Sequence, residues 1–203
     1  MYVPKHNQLD DRPALLAYMR AYSFAALATS GPGGMTATHL PFVIEEEDGR
    51  ITLLAHMAKA NPQWRDFAAD AEALVIFMQP HAYVSPRLYD SRQNVPTWNY
   101  VAVHAYGRPV LIEERAAKIE LQQKLIRQHD AAYLTQMAEL PASYVDARLA
   151  AIVSFSLAVS RIDARFKLSQ DKNPAERERI ARALEASGEG VAAETARLMR
   201  KHN

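Results

Sequence analysis

The sequence predicts a mainly β, α+β fold in which a closed antiparallel sheet carries peripheral helices. Three observations point that way. Short stretches alternate apolar and polar residues with period two, turn residues punctuate them at close intervals, and helical periodicity is confined to segments that do not alternate with strands in a βαβ manner. About six to eight strands are legible. With 203 residues, 49% hydrophobic and 23% charged, there is apolar material for one core. The expected division is a barrel domain over 1–172 and a C-terminal helical extension, 173–203, packed on the same domain.

In chain order, Asp10-Asp11 before Pro13 reads as a helix start, because carboxylates accept free amides and proline is tolerated in the first turn. Leu15, Leu16 and Met19 supply its apolar face. Phe24 to Thr29, the turn Gly31-Pro-Gly-Gly34, and the alternating Thr36, Thr38, Leu40, Phe42 and Ile44 read as a hairpin. Ile51 to His56 stays apolar and reads as a strand buried on both faces. Asn61-Pro62 opens a short helix carrying Trp64 and Phe67. Ala73 to Met78 is a further strand, Tyr83 to Ser85 is extended, and prolines 86 and 96 bracket an irregular loop. Trp98 to Tyr106 and Val153 to Ser160 are long alternating strands, Glu113 to His129 is helical, and the chain after Pro174 is helical with Gly188 and Gly190 interrupting it.

Composition narrows the function classes. A formal net charge of +1 gives no long-range field for nucleic acid or anionic lipid. The absence of cysteine removes disulfide frameworks, thiolate metal sites and thiol catalysis, in keeping with a cytoplasmic protein. No signal peptide or membrane span is legible. Residues 161–182 hold seven Lys or Arg (161, 165, 167, 172, 177, 179, 182) against four acids (163, 171, 176, 178), and interleaved signs of that kind read as a solvated helix.

Chemistry-bearing motifs are few. Leu54 to Trp64 delivers a strand through a short loop onto a helix start, where amides, the helix dipole and the charge of Lys59 could hold a phosphate. Thr36 to Phe42 has a proline in a strand, which frees backbone groups to face a ligand. Val95 to Tyr100 puts Trp98 and Tyr100 on one strand face, a flat wall of the kind an isoalloxazine ring needs. Phe166 to Gln170 offers a cation, a hydroxyl and an amide in close order. Each has an ordinary structural explanation: a capped helix, an edge strand, an aromatic core pair and a strand exit. No metal-ligand spacing, nucleophile motif, Walker loop or G-x-G-x-x-G occurs, so a flavin here would be FMN in a barrel. Haem ligation by a single histidine stays open, because it needs no local partner.

Taken in order, Met1-Tyr-Val-Pro-Lys-His6, Thr38-His-Leu-Pro-Phe42, His56-Met-Ala-Lys-Ala-Asn-Pro-Gln-Trp64, Ala82-Tyr-Val-Ser-Pro86, Val95-Pro-Thr-Trp-Asn-Tyr100 and Lys167-Leu-Ser-Gln170 resemble the PaiB family. That family is described as FMN-binding negative transcriptional regulators with a split β-barrel related to pyridoxamine phosphate oxidases. The resemblance runs from residue 1 to about 172. It implies a homodimer with FMN sites between subunits, and flavin as a structural or sensing cofactor. It also implies a cofactor site drawn from Thr38, His39, Leu40, Pro41, Phe42, His56, Met57, Ala58, Lys59, Asn61, Trp98, Lys167 and Gln170. The segment around Lys59 would hold the phosphate and strand 36–42 would face the ring, with Trp98 and Lys167 to Gln170 closing the site, from the partner chain in one arrangement. Departures are Asn7 in place of an aromatic, Arg87-Leu88 in place of a small residue plus Trp, and Asp163-Ala-Arg165 in place of a glycine turn. The alternatives are an FMN-dependent oxidoreductase of the same superfamily and a haem-binding split barrel. The regulatory label comes from the family alone, and nothing in the charge pattern supports a DNA contact.

Overall fold

The structure, a computed structural model, describes residues 1–69 and 71–202. Seven strands form one sheet in the order β2-β1-β5-β6-β7-β4-β3: β1 Phe24–Gly31, β2 Gly34–Pro41, β3 Val43–Glu47, β4 Arg50–Ala58, β5 Ala73–Val84, β6 Thr97–Ile112 and β7 Ile152–Lys167. The helices are α1 Arg12–Ala21, α2 Arg115–His129, α3 Tyr133–Ala138, α4 Ala142–Ala150, α5 Pro174–Ala186 and α6 Gly190–Lys201, with a 3₁₀ turn at Pro62–Ala69. The registered pairs β1–β2, β1–β5, β3–β4 and β4–β7 are all antiparallel. The expected mainly β architecture with peripheral helices is therefore the one observed. Among the described residues no helix is long and apolar enough to cross a membrane.

Several elements differ from the sequence reading, each for a local reason. Residues 36–44 are two strands, because Pro41 ends β2 and Phe42 turns the chain inward to 0% exposure before β3 begins. Ala73 to Ser85 is essentially one strand, β5, which runs through Pro80 to Val84. The long strand from Thr97 reaches Ile112, and its faces are the reverse of an aromatic core: Asn99, Val101, Val103 and Ala105 are fully buried while Trp98 is 52% exposed. Gly107 holds a buried position of β6 without a side chain, since a Cβ there would strike the Ala158 carbonyl and the Leu157 side chain.

The chain divides into two compact units. One comprises Leu16–Phe77 and Ala105–Ile162. Its core gathers Phe42, Phe77, Phe155 and Phe67, with Phe42 6.1 Å from Phe77 and 6.3 Å from Phe155, and Phe67 5.0 Å from Phe155 in an edge-on pair. Helix α2 starts on Glu114, whose carboxylate accepts from Ala116 N at 2.9 Å and Ala117 N at 2.6 Å. It lays Leu121 and Leu125 against Val43 and Leu54. Lys124 then bridges Glu45 at 2.6 Å and Glu120 at 2.7 Å. The other unit comprises Met1–Leu15, Met78–His104 and Asp163–Asn203. There α5 opens on Asn173, which accepts from Glu176 N at 2.9 Å ahead of the first turn that Pro174 begins. Arg179 and Glu176 hold the turn at Asp90 through Arg179–Asp90 and Asp90 N–Glu176 contacts, both 2.8 Å.

Truncating Phe42 empties the centre of the aromatic cluster, so Phe42→Ala should cost about 3–5 kcal/mol. Urea unfolding followed by circular dichroism checks it, and a loss below ~1 kcal/mol would show that the cluster does not anchor the strand junction.

Candidate functional site

The loop from β4 into the 3₁₀ turn is held in place by side chains rather than left with free amides. Lys59 N donates to Ala151 O and Asn61 N to Ala58 O, both at 2.9 Å. Asn61 Oδ1 accepts from Gln63 N at 3.0 Å, and its Nδ2 donates to Thr38 Oγ1 at 2.8 Å. Trp64 Nε1 donates to Lys59 O at 3.1 Å. The expectation that free amides collect here is thus corrected at three positions: the amides of Lys59, Asn61 and Gln63 are spent on the loop itself. What remains for an anion is the Lys59 ammonium, which is exposed and has no partner among the described residues.

Gln63 is the residue that sequence reasoning quoted without assigning a role. It is 1% exposed, and its Nε2 lies within reach of Leu27 O at 2.9 Å, Thr29 Oγ1 at 3.1 Å and Thr36 O at 3.2 Å. Two carbonyl acceptors fix the amide orientation, because the opposite one would set oxygen against oxygen. The Gln63 Oε1 is buried without a partner. Gln63 therefore pins the turn to β1 and β2 at once. The signal was in the sequence, since an amide inside an otherwise apolar helix face next to Trp64 has to find acceptors when buried. Asp66 performs a smaller version of the same task, accepting from Thr29 Oγ1 at 2.9 Å beside Gly31, where a Cβ would meet its carboxylate.

The structure sorts the predicted site residues. In the unit of Leu16–Phe77 and Ala105–Ile162 it brings Thr38 and Asn61 into direct contact, and both belong to the segments 38–42 and 56–61. Leu40, Phe42 and Met57 are 7%, 0% and 2% exposed, so these side chains are core and only their backbone can face a ligand. His39 is exposed and stacks on Phe24 with centroids 6.3 Å apart, while Ala58 and Lys59 are exposed and Thr38, Pro41, His56 and Asn61 half-buried. Gln122 Nε2 lies 3.2 Å from His56 Nδ1. Burial holds the His56 pKa below its ordinary value, which keeps the ring neutral.

Trp98, Lys167 and Gln170 lie in the other unit. Trp98 meets His81 at 5.8 Å and Tyr83 at 5.9 Å, edge-on. Lys167 donates to the Thr97 hydroxyl. Gln170 is occupied internally: its Oε1 accepts from Leu168 N at 2.8 Å and Asn7 Nδ2 at 3.1 Å, and its Nε2 donates to Phe166 O. Asn7, one of the departures from the family pattern, is 3% exposed and serves as the clasp on Gln170. Ser169 sits at φ +64°, a left-handed conformation costly for a non-glycine residue, and a reciprocal pair of hydrogen bonds with buried Asn99, at 2.9 and 3.1 Å, holds it there.

A family model described as "Putative FMN-binding domain" matches residues 1–161. The Bacillus subtilis "Protease synthase and sporulation protein PAI 2" is 35% identical over 202 residues, covering 98% of this chain and 96% of that protein. Among solved structures, the flavocytochrome Anf3 of Azotobacter vinelandii superposes with a TM-score of 0.64 at 17% identity, covering 81% of this chain and 72% of the other. The FAD and heme binding protein of Mycobacterium smegmatis gives 0.63 at 21%, covering 90% and 80%. At those identities the structural likeness speaks for fold. Together they define a split antiparallel β-barrel protein that carries an FMN-binding domain. The chain belongs to the PaiB family.

Two outcomes follow. Gln63→Ala should lower stability by roughly 2–3 kcal/mol, because two strand carbonyls lose a buried donor; thermal unfolding with an unchanged midpoint would refute the role of Gln63. Burial lowers the pKa of His56, and likewise those of His104 and His202. A depressed histidine pKa means that the unfolded chain binds protons first, so stability is whole above about pH 6.5 and is lost as pH falls through the folded values. The melting temperature should be flat between about pH 7 and 8 and decline below about 6.5, and His56→Gln should make that decline shallower.

Proposed function

We propose that the FMN of this domain is held by the segments 38–42 and 56–61, with its phosphate at Lys59 and its ring against the backbone of Thr38 to Pro41. The observation that carries the reading is the unpartnered Lys59 ammonium, on a loop immobilised by Asn61, Gln63 and Trp64 beside β2. A pre-ordered loop with a free cation loses little entropy on binding an anion. Neutral His56 and the Thr38 hydroxyl add hydrogen-bonding groups without adding charge. FMN supplies redox chemistry when bound, and the residues here supply binding and orientation.

The protein acts in the cytoplasm as a homodimer. The edge strand β2 and its neighbour β1 support this, since they present Met35 at 84% and Phe24 at 66% exposure, an uncovered apolar edge of the kind natural proteins pair or protect. Its role is regulatory, with flavin as a structural or sensing group. The support is the similarity to a protein named for protease synthesis and sporulation.

Lys59→Ala should weaken FMN binding by roughly tenfold or more, as one charge-assisted contact to phosphate is lost; flavin fluorescence titration with unaltered affinity would remove Lys59 from the site. Light scattering should give a dimer mass, and a flavin-loaded monomer would sink the dimer reading. For regulation, DNA affinity across a salt series should exceed non-specific background, and affinity that only tracks salt would contradict direct binding.

A further inference from the structure

Helices α2, α3 and α4 line a groove of about 380 Å³ within the unit of Leu16–Phe77 and Ala105–Ile162. Helix α2 presents two separate faces. On one, Leu121 and Leu125 pack against Val43 and Leu54, and the flanking Gln122 and Gln128 reach His56 Nδ1 and the Phe42 carbonyl. On the other, Arg115, Ile119, Gln123 and Arg127 recur every fourth position and form one stripe along the groove. At the helical rise that stripe runs roughly 18 Å, with an apolar residue and an amide between two cations.

The wall across from the stripe is apolar. Leu134 and Met137, three apart on α3, and Val145 of α4 form it. Like Ile119 they are only half-buried, and α3 buries none of its six residues. A helix on a domain surface ordinarily covers its apolar stripe with the core, whereas these side chains are turned to a gap. The two cations differ in what they already hold. Arg115 pairs with Asp146 at 2.6 Å, while the exposed Arg127 guanidinium makes no ion pair among the described residues. The negative end of the α2 dipole accounts for a cation in the last turn, but not for the apolar wall beside it.

We propose that the groove binds a small amphipathic monocarboxylate, its carboxylate on Arg127 and its apolar body against Ile119, Leu134, Met137 and Val145. A guanidinium matches a carboxylate with two parallel hydrogen bonds, and Gln123, one turn away on the same stripe, brings a further donor. Charge selects the class. With Arg115 occupied by Asp146, one positive charge is left, which balances a monoanion and would leave a phosphate dianion half-neutralised. A volume of this size with an apolar wall and few polar groups is the combination small-molecule sites use. The inference does not depend on the flavin assignment, because none of these residues lies in the segments 38–42 or 56–61.

The test is calorimetric titration of the full chain, with and without saturating FMN, using octanoate below its micellar range, butanoate as the short-chain control and octan-1-ol as the uncharged one. The expected result is saturable octanoate binding in both states, with octan-1-ol roughly tenfold weaker. Affinity should rise from butanoate to octanoate by about twofold or more per methylene, short of the roughly fourfold that complete burial gives. Arg127→Met should weaken octanoate about tenfold and leave octan-1-ol unchanged. Arg127→Lys should retain part of the affinity, and Met137→Asp, which sets a carboxylate in the apolar wall, should weaken both ligands. Circular dichroism confirms that each variant is folded. Lys59→Ala should lower FMN affinity and leave octanoate unaffected, so failure of the flavin assignment would show in one titration and failure of this proposal in the other. Absence of saturable binding at millimolar concentration, equal affinity for butanoate and octanoate, indifference to Arg127→Met, or one-for-one displacement by FMN overturns it. Self-association that Met137→Asp abolishes, without octanoate binding, would give the groove to a second copy of the chain and overturns it as well.

Discussion

Phe42 has to satisfy two strands that stand at opposite ends of one sheet. β2 and β3 are the first and last members of the strand order, yet a single residue separates them in the chain. The two end strands must therefore meet at that residue, which bends the sheet round on itself there. Phe42 secures the junction in three directions. Its N donates to Ser23 O at 2.9 Å, its carbonyl accepts from Gln128 Nε2 at 3.3 Å, and its ring enters the cluster with Phe77 and Phe155. Main chain and side chain agree on one geometry, and the segments 38–41 and 56–61 inherit their positions from it.

A second level of organisation sits on that closure. Gln63 and Asn61 tie the turn after β4 to β1 and β2. The polar groups do this work because hydrogen bonds are directional where apolar contacts are not, so a loop that must present Lys59 at one place is fixed by amides and a hydroxyl. Around residues 167–170 the device is similar. Asn99 and Asn7 are buried amides that hold a strained serine and a glutamine, and each prevents the chain from relaxing to an ordinary extended exit.

Charge is distributed to match. With a net formal charge of +1, recognition depends on which cations lack partners. Arg200, Arg182 and Arg179 are consumed in exposed ion pairs on α5 and α6, which contribute little stability and no binding capacity. Lys59, and separately Lys167 and Arg165, make no ion pair with a carboxylate among the described residues. Of the seven cations in residues 161–182, Lys172, Arg179 and Arg182 are held in ion pairs with Asp171, Asp90 and Glu178.

Much of the fold was readable because hydrophobic periodicity and turn chemistry are local. The starts of α1, α2 and α5, the hairpin at Gly31 to Gly34, and the alternation of β7 all follow from residues within a few positions of one another. The family followed from six ordered motifs for the same reason, since each is a contiguous string. Tertiary structure alone decided the rest. Periodicity finds two faces of β6 but cannot say which is inward, so the aromatic pair Trp98 and Tyr100 turned out to face away from the core while Asn99 took the buried side. The role of Gln63 depends on carbonyls 27 and 36 residues before it in the chain. Which lysines are free to meet an anion depends on the carboxylates that folding brings near, and that is a property of distance in space rather than in sequence.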